Sequence, residues 1–144
     1  MNKDEICARI PHAGRMCLLE RVQDWDETAI HCLATSHRDA DNPLRSRDRL
    51  SAVCGIEYAA QAMAVHAGLR ATGAAVKPGL GMLAAVRDLR LAVARLDDVD
   101  GDLHIHARRL SGDEAGFIYE FHIKVGDDAL MSGRVVVKLL ETAT

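Results

Sequence analysis

Ser51-Ala-Val-Cys-Gly-Ile-Glu-Tyr-Ala-Ala-Gln-Ala-Met-Ala-Val-His-Ala-Gly-Leu69 is an alanine-rich, helix-forming run whose only formally charged side chain is Glu57. A helix that is apolar on nearly every side is one that a fold surrounds. An ionised carboxylate inside such a helix costs several kcal/mol, roughly, unless it is paired, hydrogen-bonded or protonated. Glu57 is therefore the first residue to suspect of chemistry. The run does not read as a membrane span: its apolar content is mostly Ala, and Glu57, Gln61 and His66 interrupt it.

The rest of the chain supplies what would surround this helix. Its 144 residues fit one domain, large enough to bury a core without disulfides or metal. With 49% hydrophobic and 27% charged residues it has the composition of a globular protein rather than a disordered one. A net charge of -3 argues against nucleic acid as the main partner and leaves acyl carriers, coenzymes and small molecules open. Cys7, Cys17, Cys32 and Cys54 form no Cys-x-x-Cys pair, and the N-terminus lacks a signal-peptide apolar core. The expectation is a cytoplasmic protein with free thiols.

Upstream of the helix, Met16 to Trp25 and Thr28 to Ser36 flank Asp24-Trp-Asp-Glu27 and read as a hairpin. His37 to Arg49, with Asn42-Pro43, reads as a loop leading to the helix. Leu80 to Leu96 fits either a helical stripe or a long strand. Downstream, Leu103 to Ala107 and Phe117 to Val125 alternate with the period of a half-buried strand, Ser111-Gly-Asp113 and Gly126-Asp-Asp128 supply turns, and Arg134 to Leu140 reads as a final strand. Two strands, a long helix, then three or four strands make an α+β layout in which one sheet can wrap one helix.

Pro11-His-Ala-Gly-Arg-Met-Cys-Leu-Leu-Glu-Arg-Val22, Gly55-Ile-Glu-Tyr-Ala-Ala-Gln61, Gly101-Asp-Leu103 and Ser132-Gly-Arg134 carry a resemblance. In these segments the chain resembles the hotdog-fold dehydratases that act on 3-hydroxyacyl chains held by acyl carrier protein, above all those of aryl polyene and xanthomonadin-type pigment clusters. The resemblance covers almost the whole chain, and its specificity rests on Glu-x-x-Ala-Gln together with the early Pro-His and Met-x-Leu-Leu-Glu-Arg-Val segment. It implies a single hotdog domain over 1–144, an antiparallel sheet wrapped around one central helix, and Leu80 to Leu96 largely as strand. It also implies a homodimer with its site at the interface. No cofactor is implied for this elimination.

Dehydrating a 3-hydroxyacyl thioester needs a base for the proton next to the carbonyl, an acid for the departing hydroxyl, and donors for the enolate-like oxygen. A carboxyl in an apolar helix has its pKa pushed upward by desolvation, which suits Glu57 to the acid role. Gln61, one helical turn on, could hold that carboxyl. Cys54 and Gly55 lie toward the helix N-terminus, where backbone N–H groups could bind the thioester oxygen and the bare Gly55 would permit close approach. The better-known members of the group carry a histidine in a Gly-His-Phe-Pro loop, whereas this chain has none between Asn42 and Glu57. His37, at the end of the second strand, and His12 are the candidates to replace it as base, with His37 favoured on topology. His66 is nine residues from Glu57, about half a revolution around the helix.

Ordinary structural roles compete with each of these. Glu57 could pair with Arg87 or Arg90, His37 and His12 could be loop histidines, and Gln61 could satisfy backbone groups. His104 and His106, with His122, share a strand face but supply no full metal ligand set, so a solvent-facing sheet with no metal is expected. Gly79-Leu-Gly-Met-Leu-Ala84 lacks the context of a dinucleotide site. Arg45, Arg47 and Arg49 could guide an acidic acyl carrier protein or its phosphopantetheine arm, unless Asp39, Asp41 and Asp48 neutralise them. The expected function is conversion of 3-hydroxyacyl carrier-protein thioesters to trans-2-enoyl thioesters in fatty-acid or polyene biosynthesis. The alternatives are a non-catalytic hotdog subunit that partners an active dehydratase, or an acyl thioesterase.

Overall fold

The structure is a computed structural model that describes residues 1–8, 16–70, 81–113 and 115–139. The chain opens with a short helix, α1 (Lys3–Cys7), whose N-cap Asn2 accepts the Glu5 N–H at 3.0 Å. No periodic signal in the sequence marks this helix. The expected hairpin follows as β1 (Arg21–Trp25) and β2 (Ala29–Ala34), with the first strand shorter than Met16 to Trp25. Asp26 closes the turn by accepting the N–H groups of Thr28 at 2.8 Å and Ala29 at 2.9 Å, which holds its carboxyl below the usual aspartate range.

The central helix α2 spans Gly55–Arg70 and follows a 3-10 turn over Ala52–Cys54. The ambiguous Leu80 to Leu96 segment resolves into β3 (Gly81–Leu91), because residues Gly81 to Leu91 pair antiparallel with the last strand. Then come β4 (Leu103–Asp113), β5 (Gly116–Val125) and β6 (Asp128–Leu139). The last begins six residues before the expected Arg134, and Leu140 lies outside the described residues. The six strands form one antiparallel sheet in the order β1-β2-β4-β5-β6-β3.

One face of the sheet supplies Ile30, Cys32, Ile105, Tyr119, Phe121, Ile123 and Met131 to the core around α2. The helix is fixed against this face by polar anchors among its alanines. Tyr58 Oη meets Ser36 Oγ at 2.8 Å and accepts from Asn42 Nδ2 at 3.1 Å. His66 Nε2 donates to the Asp26 carbonyl at 2.7 Å, and its Nδ1 accepts from Tyr119 Oη at 2.6 Å. Burial lowers the pKa of His66, consistent with the neutral ring these bonds require.

β3 differs from the other strands. It lies at the sheet edge, none of its residues 83–91 is fully buried, and Leu83, Leu89 and Leu91 are 36–46% exposed. An edge strand with exposed leucines is a template for pairing with another chain. On α2, Glu57, Ala60, Ala64 and Ala67 are likewise only half-buried.

The start of α2 is clamped to the segment after β3. Leu96 N–H donates to the Leu50 carbonyl at 2.8 Å, Ala52 N–H to the Ala94 carbonyl at 3.0 Å, and Leu50 N–H to Asp97 Oδ1 at 2.9 Å. Arg95 pairs with Asp97, and together these bonds hold the Asp97 carboxyl well below its ordinary value of 3.8. A carboxylate with a depressed folded pKa stabilises the fold above the unfolded pKa, and that contribution is lost as pH falls toward the folded value. Asp97→Asn is therefore expected to lower the unfolding temperature at pH 7 and to flatten its decline below about pH 4. Parallel acid-unfolding curves for the two proteins would contradict this.

Candidate active site

Glu57 stands on the first turn of α2. Its carboxylate is half-buried rather than enclosed, because the helix face it shares with Ala60 and Ala64 is not covered by the sheet. Among the described residues no ion pair reaches Glu57, so the alternative pairing with Arg87 or Arg90 is not formed.

Cys54 and Gly55 are beside it, but their expected role as oxyanion donors is not presented. The Cys54 N–H donates to the Ser51 carbonyl at 3.0 Å, and the Gly55 N–H is engaged by the carbonyls of Ala52 and Val53. The tight 3-10 entry consumes the two donors that an open helix start would leave free. The bare side of Gly55 faces the sheet: a Cβ there would lie 2.1 Å from Met131 Sδ and 3.2 Å from Ile123 Cδ1. Gly55 thus lets the helix start approach β5 and β6. Gly55→Ala is expected to cost about 1–3 kcal/mol by overpacking, and Met131→Ala in the same chain should recover part of it. Additive losses in the double variant would refute the contact as the cause. The Cys54 thiol is half-buried, contacts the Leu44 carbonyl at 3.9 Å, and is pushed up by burial and by the nearby Glu57 charge.

Gln61 is buried and its amide is turned away from a positioning role on Glu57. Its Oε1 accepts from Leu18 N–H at 2.9 Å and its Nε2 donates to the Met16 carbonyl at 2.6 Å. It fastens the segment before β1 to the helix. His37 lies in a 3-10 turn, Ser36–Arg38, and is fully buried. Its Nε2 bonds the Val99 carbonyl at 3.1 Å, so Nε2 carries the proton and Nδ1 holds an unpartnered, buried lone pair. Burial lowers its pKa against the opposing pull of that carbonyl, leaving a neutral imidazole. No described contact joins His37 to Glu57. His12 lies outside the described residues.

The arginine loop adjoins the helix start. Arg45 is folded inward and donates to the Arg38 carbonyl at 3.2 Å, whereas Arg47 and Arg49 are exposed. Two features escaped the sequence altogether. The buried network of Tyr58, Ser36 and Asn42 joins segments far apart in the chain. Cys7 and Cys17 form a disulfide, which corrects the expectation of four free thiols; Cys32 and Cys54 are free. His31 joins His104 and His106 on one face of the sheet, with one nitrogen of each ring within 4.8 Å of the others. No described helix is long and apolar enough to cross a membrane.

An antiparallel sheet wrapped on one long helix, with a carboxylate on that helix's first turn, defines a hotdog-fold protein. The family model described as ApeP dehydratase matches residues 5–142, and the chain belongs to this ApeP-like dehydratase family. The chain is similar to one from the dehydratase heterocomplex ApeI:P of Xenorhabdus doucetiae, with 27% identity and a TM-score of 0.84 over 99% of this chain and 93% of that one. It shares the fold of a thioesterase from Haemophilus influenzae, at 8% identity and a TM-score of 0.61 over 98% of this chain and 92% of that one. A putative thioesterase from Shewanella oneidensis also shares it, at 14% identity and 0.61 over 95% and 99%. No curated protein matches the chain.

Proposed function

We propose that this chain acts in a dehydratase that converts 3-hydroxyacyl thioesters on an acyl carrier protein to trans-2-enoyl thioesters in polyene synthesis. The observation that carries the reading is the placement of Glu57. It sits at the start of the central helix on a face left half-open, in a fold whose edge strand β3 is paired on one side alone among the described residues. A second hotdog subunit laid along β3 would cover Leu83, Leu89 and Leu91 and bring the Glu57 carboxylate into an enclosed site. The heterocomplex formed by the similar chain supports a different hotdog subunit as that partner, with a homodimer as the alternative.

In this reading a base takes the proton from C2, the C3–O bond breaks, and Glu57 delivers a proton to the departing hydroxyl, which leaves as water. His37 Nδ1 is the base candidate within the described residues, its tautomer fixed by Val99. The acyl channel is assigned to the completed assembly.

The test incubates the purified chain, alone and with a candidate hotdog partner, with a 3-hydroxyacyl carrier-protein thioester. Enoyl product supports dehydration; free acid would identify a thioesterase instead. Enoyl formation only with the partner, unaffected by changes at Glu57, would make this chain a non-catalytic subunit.

The exposed Arg47 and Arg49 are proposed to meet the acidic carrier protein. Arg47→Ala with Arg49→Ala should weaken carrier binding several-fold at low salt, with the difference fading as salt rises. Equal affinity at low salt would remove this role.

A further inference from the structure

The face of the sheet turned away from α2 holds four of the chain's seven histidines. His31 on β2, His106 on β4 and His122 on β5 are directly opposed in register, and Asp24 of β1 stands opposite His31. His106 is stacked between the other two, with ring centroids 4.1 Å from His31 and 4.6 Å from His122. His104, two residues along β4, brings its Nδ1 to 2.8 Å from His31 Nε2. An open cavity of about 460 Å³ lies over this row, lined by Asp24, His31, His106, Glu120 and His122 among others.

We propose that this face binds one divalent transition-metal ion, zinc in the first instance, with His31, His104 and His106 as its protein ligands and water completing the shell.

Each of the three rings offers a nitrogen, and these nitrogens all lie within 4.8 Å of one another. Tetrahedral zinc with Zn–N bonds of about 2.0–2.1 Å holds its nitrogens about 3.3 Å apart. Ring rotation and about 1 Å of movement would close the set. His31 and His104 are already closer than that, sharing one proton that the metal would displace. His106 Nε2 is buried and has no hydrogen-bond partner among the described residues, and a buried imidazole nitrogen without a partner is costly unless something occupies its lone pair. A paired β-ladder fixes the ligand backbones, as a precise site requires.

The electrostatics agree with this geometry. Burial first, then the neighbouring histidines and Lys124, push His106 down to about 4, and burial likewise lowers His31 and His122. Neutral imidazole is the form that ligates metal. Asp24, whose charge acts on His31, supplies a nearby carboxylate of the kind that orients metal-bound histidines. Three imidazoles and no thiolate suit zinc, copper or nickel over calcium or magnesium.

The experiment uses tag-free full-length chain, stripped with EDTA and exchanged into chelator-free buffer at pH 7.5. Zinc is titrated in competition with a chromophoric chelator, and cobalt is substituted for optical spectra. The expected result is one saturable zinc per chain and cobalt d–d bands without thiolate charge transfer. His31→Ala, His104→Ala and His106→Ala should each weaken binding at least about tenfold, in line with ligand loss, with unchanged circular dichroism. His122→Ala, which removes a stacked ring but no ligand, should stay within about threefold of the parent. Absence of saturable binding, a thiolate band, or full binding in the His31→Ala, His106→Ala double variant would each overturn the site.

Discussion

Glu57→Gln is expected to lower enoyl-thioester formation by about 10²–10⁴-fold, the range for loss of a general acid, in whichever assembly is active. The unfolding temperature should change little. Glu57 is half-buried and accepts no side-chain or backbone bond among the described residues, so the isosteric amide removes a proton donor and no anchor. The matching variant at the base is His37→Gln, which keeps a donor toward the Val99 carbonyl where alanine would leave that buried oxygen unpaired. A collapse in rate with both variants, and loss of the acidic limb of the pH profile in the second, supports the Glu57–His37 assignment. Full activity in His37→Gln beside an inactive Glu57→Gln would move the base to His12 or to the partner. Full activity of the assembly with Glu57→Gln would make this chain structural.

Opening the Cys7–Cys17 disulfide is expected to cost the fold about 3 kcal/mol, the chain-entropy value for a loop of this length. For a chain of this size that corresponds to a drop of about 10 °C in unfolding temperature. Cys7→Ala and reduction of the parent should give similar shifts, and identical melting of the oxidised and reduced protein would show that the bridge does not form. Thiol counting checks the same assignment. The native oxidised chain should offer Cys54 to a thiol reagent, while Cys32, fully buried with its pKa pushed up to about 12, stays silent until unfolding. The bridge also separates the base candidates, because residues 8–16, including His12, lie inside the loop it closes. At a temperature where both forms are folded, reduction should leave activity unchanged if His37 is the base.

Periodicity carried the helix, the hairpins and the strand face of the C-terminal third, because alternation and apolar runs are local signals. Burial was harder to read. The alanines at 60, 64 and 67 look like core in sequence, yet the sheet leaves them half-covered; composition does not separate a residue covered by its own fold from one awaiting another subunit. Gln61 was visible as a polar residue in that helix, but its partners, Met16 and Leu18, lie more than 40 residues upstream. The histidine row had the same limit: His104, His106 and His122 fall within neighbouring strands, while His31 joins them only through the β2–β4 register, 73 residues from His104. The disulfide pair carries no recognisable spacing motif. Leu80 to Leu96 was undecidable because an exposed edge strand with apolar residues on both faces has neither clean period.

That edge strand has a consequence for how the protein must be made. A folded chain that displays seven exposed residues of β3, three of them leucines, is a template for irregular stacking as well as for the proposed second subunit. If a second hotdog subunit covers this edge, as proposed above, a chain made without it keeps the edge bare and is exposed to aggregation or proteolysis. In that case production of this chain alone should yield less soluble protein than production together with the covering subunit.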